Sequence, residues 1–141
     1  MHLIDTNVIS EMRKGPRANG GVRGFFASAV SEWVPAYVSV VTIGELRRVA
    51  ERIRHRGDVA QAGILDVWLA QVLVDDRECI LEFGEEAAQV WGRLRVPHPE
   101  HELDKQIAAT ALVHDLTVVT REERDFARTG VRVLNPFTDV P

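Results

Sequence analysis

The sequence predicts an α/β fold, a three-layer α/β/α sandwich with a short, mainly parallel central sheet. Short apolar runs of strand length alternate along the chain with longer segments whose apolar residues recur at helical spacing. Strands joined through helices in this way pair in parallel by right-handed crossovers, which cover both faces of the sheet. We find no internal repeat, linker or low-complexity tract, and we expect one domain that spans residues 1–141.

The first part of the chain predicts a strand, a helix, a loop and a second helix. Residues 2–5 form a short apolar run that ends in the turn-forming sequence Asp-Thr-Asn, and helical spacing of apolar residues follows up to a Gly-Pro pair. Residues 15–21 are rich in glycine and include a proline, which predicts a loop. Residues 22–33 predict the second helix.

A second strand and two long helices follow. Residues 36–39 predict the strand, and residues 40–56 predict a helix that ends at Gly57, because glycine readily adopts the backbone conformation that closes a helix. Asp58 can cap a further helix that extends to about Asp76. The first of these helices has a single apolar stripe, formed by Ile43, Leu46, Ala50 and Ile53.

The helix that begins after Asp58 is apolar on nearly all sides, whereas a surface helix normally has one apolar stripe. Two explanations are open: the second apolar face contacts another chain, or the whole helix lies deep in its own core. The apolar residues of this helix are Ile64, Leu65, Val67, Trp68, Leu69, Val72, Leu73 and Val74.

The last part of the chain continues the alternation of strands and helices. A Pro-His-Pro sequence breaks it once, because the residue before a proline disfavours helical backbone. The predicted elements are a strand at residues 79–83, a helix at 85–96, the break at 97–99, a helix at 102–114, a strand at 117–120, a helical turn at 121–127 and a final strand at 131–134.

The composition favours a globular protein that folds without disulfides. The chain is 45% hydrophobic and 27% charged, and a chain of 141 residues can bury a sufficient core. Cys79 is its one cysteine, which excludes an intrachain disulfide and a cysteine-rich zinc site. We find no signal-like segment and no apolar run long enough to span a membrane, and we expect a cytoplasmic protein.

The net charge of −4 has the wrong sign for a protein that binds nucleic acid by bulk electrostatics. The excess of acids can instead reflect carboxylates gathered to bind a cation, with phosphate contacts left to local arginines. Only Lys14 and Lys105 are lysines among the 17 basic residues. Two explanations of this usage are open: arginine is the better fork for a phosphate, or the preference reflects a GC-rich genome. The acidic charge is therefore compatible with a metal site that has arginines around it.

Five acidic side chains follow predicted strands or open predicted helices, at the edge of the sheet where ligands bind in parallel α/β folds. Asp5 ends the first strand, and Glu45 lies in the helix behind the second strand. Asp104 shares a helix face with the apolar stripe of its own helix and should point into the protein. Glu122 and Asp125 follow the fourth strand and, three residues apart, lie on one helical side.

Each acid alone has an ordinary explanation, either as a helix cap or as a solvated surface charge. Their joint placement favours a site, because crowded carboxylates repel each other and need a cation or raised pKa values. Hard oxygen ligands favour Mg²⁺ or Mn²⁺, whereas zinc would need histidine or thiolate. His98 and His101 flank a Pro-Glu pair in an exposed loop, and we interpret both as ordinary surface residues.

Four segments of the chain resemble, in this order, the four acidic motifs of PIN-domain nucleases. A further segment, VRVLNPF at residues 131–137, is similar to the closing strand of VapC and FitB toxins. Together these segments extend the resemblance over essentially the whole chain. The four motif segments are LIDTNVI at residues 3–9, SVVTIGEL at 39–46, DKQIAATA at 104–111 and VVTREERDF at 118–126.

The resemblance implies a PIN-like fold in which Asp5, Glu45 and Asp104 are metal ligands. The fourth acid of the family falls on Asp125, while Glu122 replaces the Asn or Asp that is usual in this motif. Either or both of these side chains can therefore face the metal.

The activity that the resemblance implies is hydrolysis of RNA phosphodiesters assisted by one or two divalent ions, Mg²⁺ or Mn²⁺. Asn7 and Thr120 match polar residues that position the site in the family, and Arg121 and Arg124 can hold flanking phosphates. The mechanism requires no side-chain nucleophile, which suits a chain without a Ser-His or Cys-His constellation.

Within the family, the chain resembles the toxin of a VapBC-type toxin–antitoxin pair, which implies a homodimer and a small VapB-like antitoxin. We expect the antitoxin to dock near the helices of residues 40–76 and to present a basic side chain to the acids. Two alternatives are open: a PIN nuclease of RNA processing without an antitoxin, and a non-catalytic binding module whose acids are caps and surface charge.

Overall fold

The computed structural model describes residues 1–138, so the last three residues of the expected domain, 139–141, lie outside the described part of the chain. The described residues form five strands and seven helices that alternate along the chain. The strands are β1 (His2–Ile4), β2 (Ala36–Ser39), β3 (Ile80–Leu81), β4 (Thr117–Val119) and β5 (Val133–Leu134). The helices are α1 (Thr6–Met12), α2 (Gly20–Ser31), α3 (Val40–His55), α4 (Val59–Asp75), α5 (Glu85–Leu94), α6 (Glu102–Val113) and α7 (Glu123–Phe126).

The five strands form one sheet in the order β3-β2-β1-β4-β5, and every neighbouring pair is parallel. The predicted α/β class is thus confirmed, and the sheet of the described residues is parallel throughout. Because β2 and β3 lie on one side of β1 while β4 and β5 lie on the other, the chain reverses its direction of winding between β1 and β4. In open parallel sheets, ligands bind in the crevice at the carboxyl ends of the strands at such a point.

The two faces of the sheet carry separate hydrophobic clusters, because successive side chains of a strand point to opposite faces. Leu3 and Val118 face a cluster built mainly from α6 and α7, whereas Ile4 and Val119 face the cluster of α1 and α2. All four side chains are nearly inaccessible to solvent. The two clusters are the interfaces between the three layers, and they fix β1 and β4 at the centre of the molecule.

Several predicted boundaries differ from the structure where polar side chains or tight turns decide the backbone. The predicted loop at residues 15–21 contains a 3₁₀ turn at Gly15–Arg17, and α2 begins at Gly20 because the Asn19 side chain accepts hydrogen bonds from the first-turn amides. The predicted strand at residues 79–83 is shorter, since Arg77–Cys79 forms a second 3₁₀ turn.

Helix α4 is not buried on all sides, so the sequence-based alternative of a helix deep in its own core is wrong. Only Ala62, Leu65 and Leu69 of this helix are buried. Its opposite side leaves four large apolar residues exposed: Val59, Ile64, Val67 and Val74. Across residues 1–138, no helix combines the length and the hydropathy that a bilayer crossing needs.

Candidate metal centre and active site

Asp5 lies at the centre of the candidate site, directly after β1, and is only 4% exposed. Its Oδ1 accepts a hydrogen bond from the backbone N of Thr6 at 2.8 Å, and its Oδ2 accepts bonds from Thr120 Oγ1 at 2.7 Å and Asn7 Nδ2 at 3.2 Å. Burial raises the pKa of Asp5, and these three hydrogen bonds oppose that shift. Asp5 is therefore the cap of α1, as the ordinary explanation proposed, and also a carboxylate oriented by its neighbours.

Thr120 and Asn7 connect β4 to β1 around this carboxylate. Thr120 is fully buried, and its hydroxyl donates to Asp5 while it accepts from the backbone N of Glu122 at 3.0 Å and from Asn7 Nδ2 at 3.2 Å. The side-chain oxygen of Asn7 accepts from the backbone N of Arg121 at 3.0 Å. These bonds hold the start of the segment after β4 against the start of α1.

Glu45 reaches the same place from the second turn of α3. Its Oε1 accepts a hydrogen bond from Thr6 Oγ1 at 3.1 Å, so the residue next to Asp5 also orients Glu45. Burial raises the pKa of Glu45 and the charge of Asp5 adds to the increase, while the Thr6 hydrogen bond and Arg48 oppose it. Glu45 is half-buried and belongs to the site, which argues against a fully solvated surface acid.

Asp104 has the strongest electrostatic perturbation of the described acids. It lies in the first turn of α6, and its side chain is 25% exposed. Burial, followed by the charges of Asp5, Asp125 and Glu45, raises the pKa of Asp104 to about 7, and His101 opposes the increase. The three neighbouring carboxylates that act on Asp104 come from three different parts of the chain.

Asp125 and Glu122 take different positions relative to the other acids. One side-chain oxygen each of Asp104 and Asp125 lies, together with a ring nitrogen of His101, in a group whose members are all within 4.8 Å of one another. The side chain of Glu122 is exposed at the start of α7, and its charge acts on Asp5. The geometry therefore favours Asp125 over Glu122 as the fourth acid.

His101 joins this cluster, although the sequence analysis interpreted it as an ordinary surface residue. Its Nδ1 lies 3.8 Å from Asp104 Oδ2 and 3.7 Å from Asp125 Oδ1. The spacing of three residues between His101 and Asp104 at a helix start was the available signal, because such residues share a helix face. His98 lies outside this cluster and contacts Arg128 and Glu100.

The two arginines that follow β4 lie on different sides of the site. The Arg121 guanidinium lies over the Phe137 ring, 4.8 Å from its centroid. Arg124 lines a cavity that also includes Asp125 and His101. Both arginines are exposed, so each can meet a solvated polyanion.

The donor set fits a hard divalent cation. The charges of Asp5, Glu45 and Asp125, which come from separate elements, all act on Asp104. The pKa values of Asp5, Glu45 and Asp104 are raised, which means that their ionised forms destabilise one another or are poorly solvated. A divalent ion would offset this cost, and oxygen ligands are those that Mg²⁺ and Mn²⁺ prefer. His101 offers a single nitrogen, too few for a typical zinc site.

Comparison with known proteins gives concordant matches over nearly the whole chain. The family model described as PIN domain matches residues 2–132. The chain is 36% identical over 146 residues to Toxin FitB of Neisseria gonorrhoeae, with 99% of this chain and 100% of the relative covered. It is 29% identical over 154 residues to VapC ribonuclease Y4jK of Sinorhizobium fredii, with 97% of this chain and 98% of the relative covered.

A solved structure with the same fold is the crystal structure of FitAcB from Neisseria gonorrhoeae. It superposes with a TM-score of 0.74 at 32% sequence identity, over 96% of this chain and 98% of the other. The model match, the relatives and the superposition all include the strands that carry the acids. The chain therefore belongs to the PIN-domain family.

Proposed function

We propose that this chain is a metal-dependent ribonuclease that acts as the toxin of a toxin–antitoxin pair in the cytoplasm. The observation that carries the proposal is the convergence of Asp5, Glu45, Asp104 and Asp125 at the switch point of the sheet, in a family whose relatives include a named toxin and a named ribonuclease. RNA is the expected substrate.

Asp5, Glu45, Asp104 and Asp125 would hold the metal, with Glu122 and His101 at its margin. A bound Mg²⁺ or Mn²⁺ supplies activation of a water and neutralisation of the charge that develops on the phosphate. Asp5 contributes a fixed carboxylate, because the donors from Thr6, Asn7 and Thr120 leave its side chain one orientation. Glu45 is oriented in the same way by Thr6.

The arginines after β4 are placed to hold the RNA strand. The Arg121 guanidinium packs against the face of the Phe137 ring, and Arg124 lines the same cavity as Asp125. Each presents a planar donor fork that suits phosphate oxygens. Contacts of this kind position an RNA strand without reading its bases.

The same proposal includes a homodimer and an antitoxin that docks near α3 and α4. The exposed apolar side of α4 is one surface that a second chain can cover. On the other side of α4, an apolar groove of about 230 Å³ lies between this helix, α1 and α2, with Phe26 and Trp68 in its walls. A guanidinium presented by the antitoxin can pair with two carboxylate oxygens and compete with the metal.

The first experiment compares cleavage of cellular RNA by the wild type, Asp104→Asn and Asp115→Asn in Mg²⁺. We expect Asp104→Asn to lose at least about 100-fold in rate, because the change removes a charged ligand, and to keep its fold, because it also removes repulsion between acids. Asp115→Asn is the matched control. Asp115 is an exposed acid at the opposite edge of the sheet, with a left-handed backbone that asparagine tolerates.

Wild-type cleavage rates for Asp104→Asn at saturating Mg²⁺ would refute the assigned site. Calorimetry with Mg²⁺ and Mn²⁺ distinguishes the remaining alternatives. A non-catalytic module predicts no metal binding that depends on Asp104, whereas a nuclease of RNA processing predicts cleavage without growth arrest.

A further inference from the structure

A cavity of about 360 Å³ adjoins the acid cluster and shares two residues with it, His101 and Asp125. The loop between α5 and α6 forms one wall, and α7 with the residues after it forms the other. Its walls include both apolar and charged side chains. The apolar lining residues are Leu94, Val96, Pro97 and Ala127.

Three basic side chains line this cavity, Lys105, Arg124 and Arg128, against the two carboxylates of Glu100 and Asp125. In the proposed nuclease, Asp125 is occupied as a metal ligand, which leaves three cations facing one free acid. This local excess of positive charge contrasts with the net charge of −4 of the chain. An anionic group is therefore the ligand that the cavity favours.

Lys105 is the most informative of these residues, because its side chain is buried and charged. It is 5% exposed, and its ammonium donates a hydrogen bond to the backbone carbonyl of His98. Among residues 1–138, Lys105 Nζ has this carbonyl as its one hydrogen-bond partner, whereas an ammonium carries three N–H donors. Because Lys105 lines the cavity, its remaining donors are available to a ligand that enters there.

Arg128 is held at the opposite wall by a histidine. Its Nη1 lies 2.8 Å from His98 Nε2, and because arginine is always a donor, the histidine nitrogen accepts. His98 thus links both cations, with its carbonyl on Lys105 and its ring on Arg128. The loop that looked like ordinary surface in the sequence is the element that orients the two positive charges.

We propose that this cavity binds a phosphate of the RNA strand next to the phosphate that is cleaved. The inference rests on the proposed ribonuclease function and adds a second anchoring point to it. Lys105 and Arg128 bind the phosphate oxygens, Arg124 stands between the two phosphates, and the apolar wall contacts the intervening nucleoside. A strand anchored at two phosphates is held in one register at the acids.

The test measures steady-state cleavage of a labelled single-stranded RNA in Mg²⁺ by the wild type, Arg128→Ala, Lys105→Met and the control Arg132→Ala. Arg132 pairs with the exposed Asp115 at the far edge of the sheet, so its loss removes the same charge away from the cavity. We expect the KM of both cavity variants to rise about tenfold while kcat changes less than about twofold. The negative slope of log(kcat/KM) against log salt should become shallower by about 0.7 for each lost phosphate contact.

A second measurement is independent of activity. The chain has only two lysines, so the ¹⁵Nζ spectrum contains one signal from Lys105 and one from Lys14. Added inorganic phosphate should shift the Lys105 signal and leave the Lys14 signal unchanged.

A KM and a salt slope for Arg128→Ala equal to those of the wild type would overturn the inference, as would a Lys105 signal that does not respond to phosphate. Arg128 is exposed, so this variant remains decisive even if Lys105→Met does not fold. If the wild type cleaves no RNA, the proposed function fails, and the phosphate titration still tests the cavity by itself.

Discussion

At the scale of single residues, one buried hydroxyl organises the site. Thr120 Oγ1 contacts the Asp5 carboxylate, the Asn7 amide and the backbone N of Glu122. The four groups come from both sides of the switch point between β1 and β4. Thr120 is therefore a positioning residue, since it acts on the chemistry through Asp5.

We expect Thr120→Val to destabilise the protein by about 1–3 kcal/mol, because the buried Asp5 carboxylate loses one of its three hydrogen-bond donors. Thr120→Ser, which keeps the hydroxyl, is the control. Urea unfolding measures the difference, and metal titration should show weaker Mg²⁺ binding for valine only. Equal free energies of unfolding for the two variants would contradict the role assigned to this hydroxyl.

Asp104 gives a prediction about pH. Its pKa in the folded protein is about 7, above the ordinary value near 3.9, so the folded state binds the proton more tightly than the unfolded state. The contribution of Asp104 to the free energy of unfolding of the metal-free protein is therefore highest at low pH and falls as pH rises from about 4 to about 7. Above about pH 7, the ionised Asp104 carboxylate destabilises the folded protein by a constant amount.

In chelator, Asp104→Asn should be more stable than the wild type by about 2 kcal/mol at pH 8 and by almost nothing at pH 4. This stability difference is smaller than the whole pKa shift of Asp104 would give, because water partly screens the charges of the site. Urea unfolding across this pH range measures the difference. A stability difference that is the same at every pH would show that Asp104 is not electrostatically strained.

At the scale of elements, the helices and strands could be predicted from the spacing of apolar residues, whereas side-chain positions that depend on tertiary packing could not. The order and type of the strands and helices followed from apolar spacing, and Asp5 and Asp104 followed from their places after β1 and at the start of α6. His101 was missed because its left-handed backbone, with φ of 57°, turns an apparent loop side chain toward α6. The backbone bend itself leaves no mark in the sequence, and the three-residue spacing between His101 and Asp104 was the one signal that pointed to this side chain.

The burial of Lys105 was also beyond the sequence. Four of its five successors in α6 are small or apolar, and the helix sinks so deeply into the molecule that even a lysine within it is covered. The predicted helix at residues 22–33 differs from α2 by two residues at each end, and the true start at Gly20 depends on the Asn19 cap. Short polar side chains decide boundaries through single hydrogen bonds, which apolar spacing does not encode.

Helix α4 carries the prediction about assembly. Val67 is 73% exposed, and Ile64 lies beside it on the same side, a surface that a second copy of the chain would cover. We expect the wild type to be a dimer by light scattering and Val67→Glu to be monomeric and folded. Val30→Glu, an equally exposed valine on α2, is the control. If the wild type is a monomer, or if Val67→Glu remains a dimer, the prediction that α4 forms the dimer interface is wrong.

At the scale of the whole molecule, the distribution of charge matters more than its sum. Four acids of the chain lie near one another at the switch point, while arginines and a buried lysine lie beside them. Such a site attracts cations of any source. We therefore expect a metal ion and a basic side chain of the antitoxin to compete for the same carboxylate oxygens.

We expect the product of the adjacent upstream reading frame to bind this chain, to inhibit its ribonuclease activity and to do so less effectively as Mg²⁺ rises. Co-expression, pull-down and a growth assay measure these effects, with Asp104→Asn as a chain that should bind without arresting growth. Arrest that the neighbour does not relieve would argue against the antitoxin, and absence of arrest would favour a role in RNA processing.

The hydrogen bond between Asp5 and Thr120 joins residues that are 115 positions apart in the chain. At translation rates of about 5–20 residues per second, roughly 6–23 s separate the synthesis of the two residues. A nascent chain that has exposed β1 but not β4 lacks both the hydroxyl that Thr120 donates to Asp5 and the acid at residue 125. The candidate site can therefore assemble only after Asp125 has been synthesised. Until then, the ribosome and the mRNA that produce this protein do not meet a complete site.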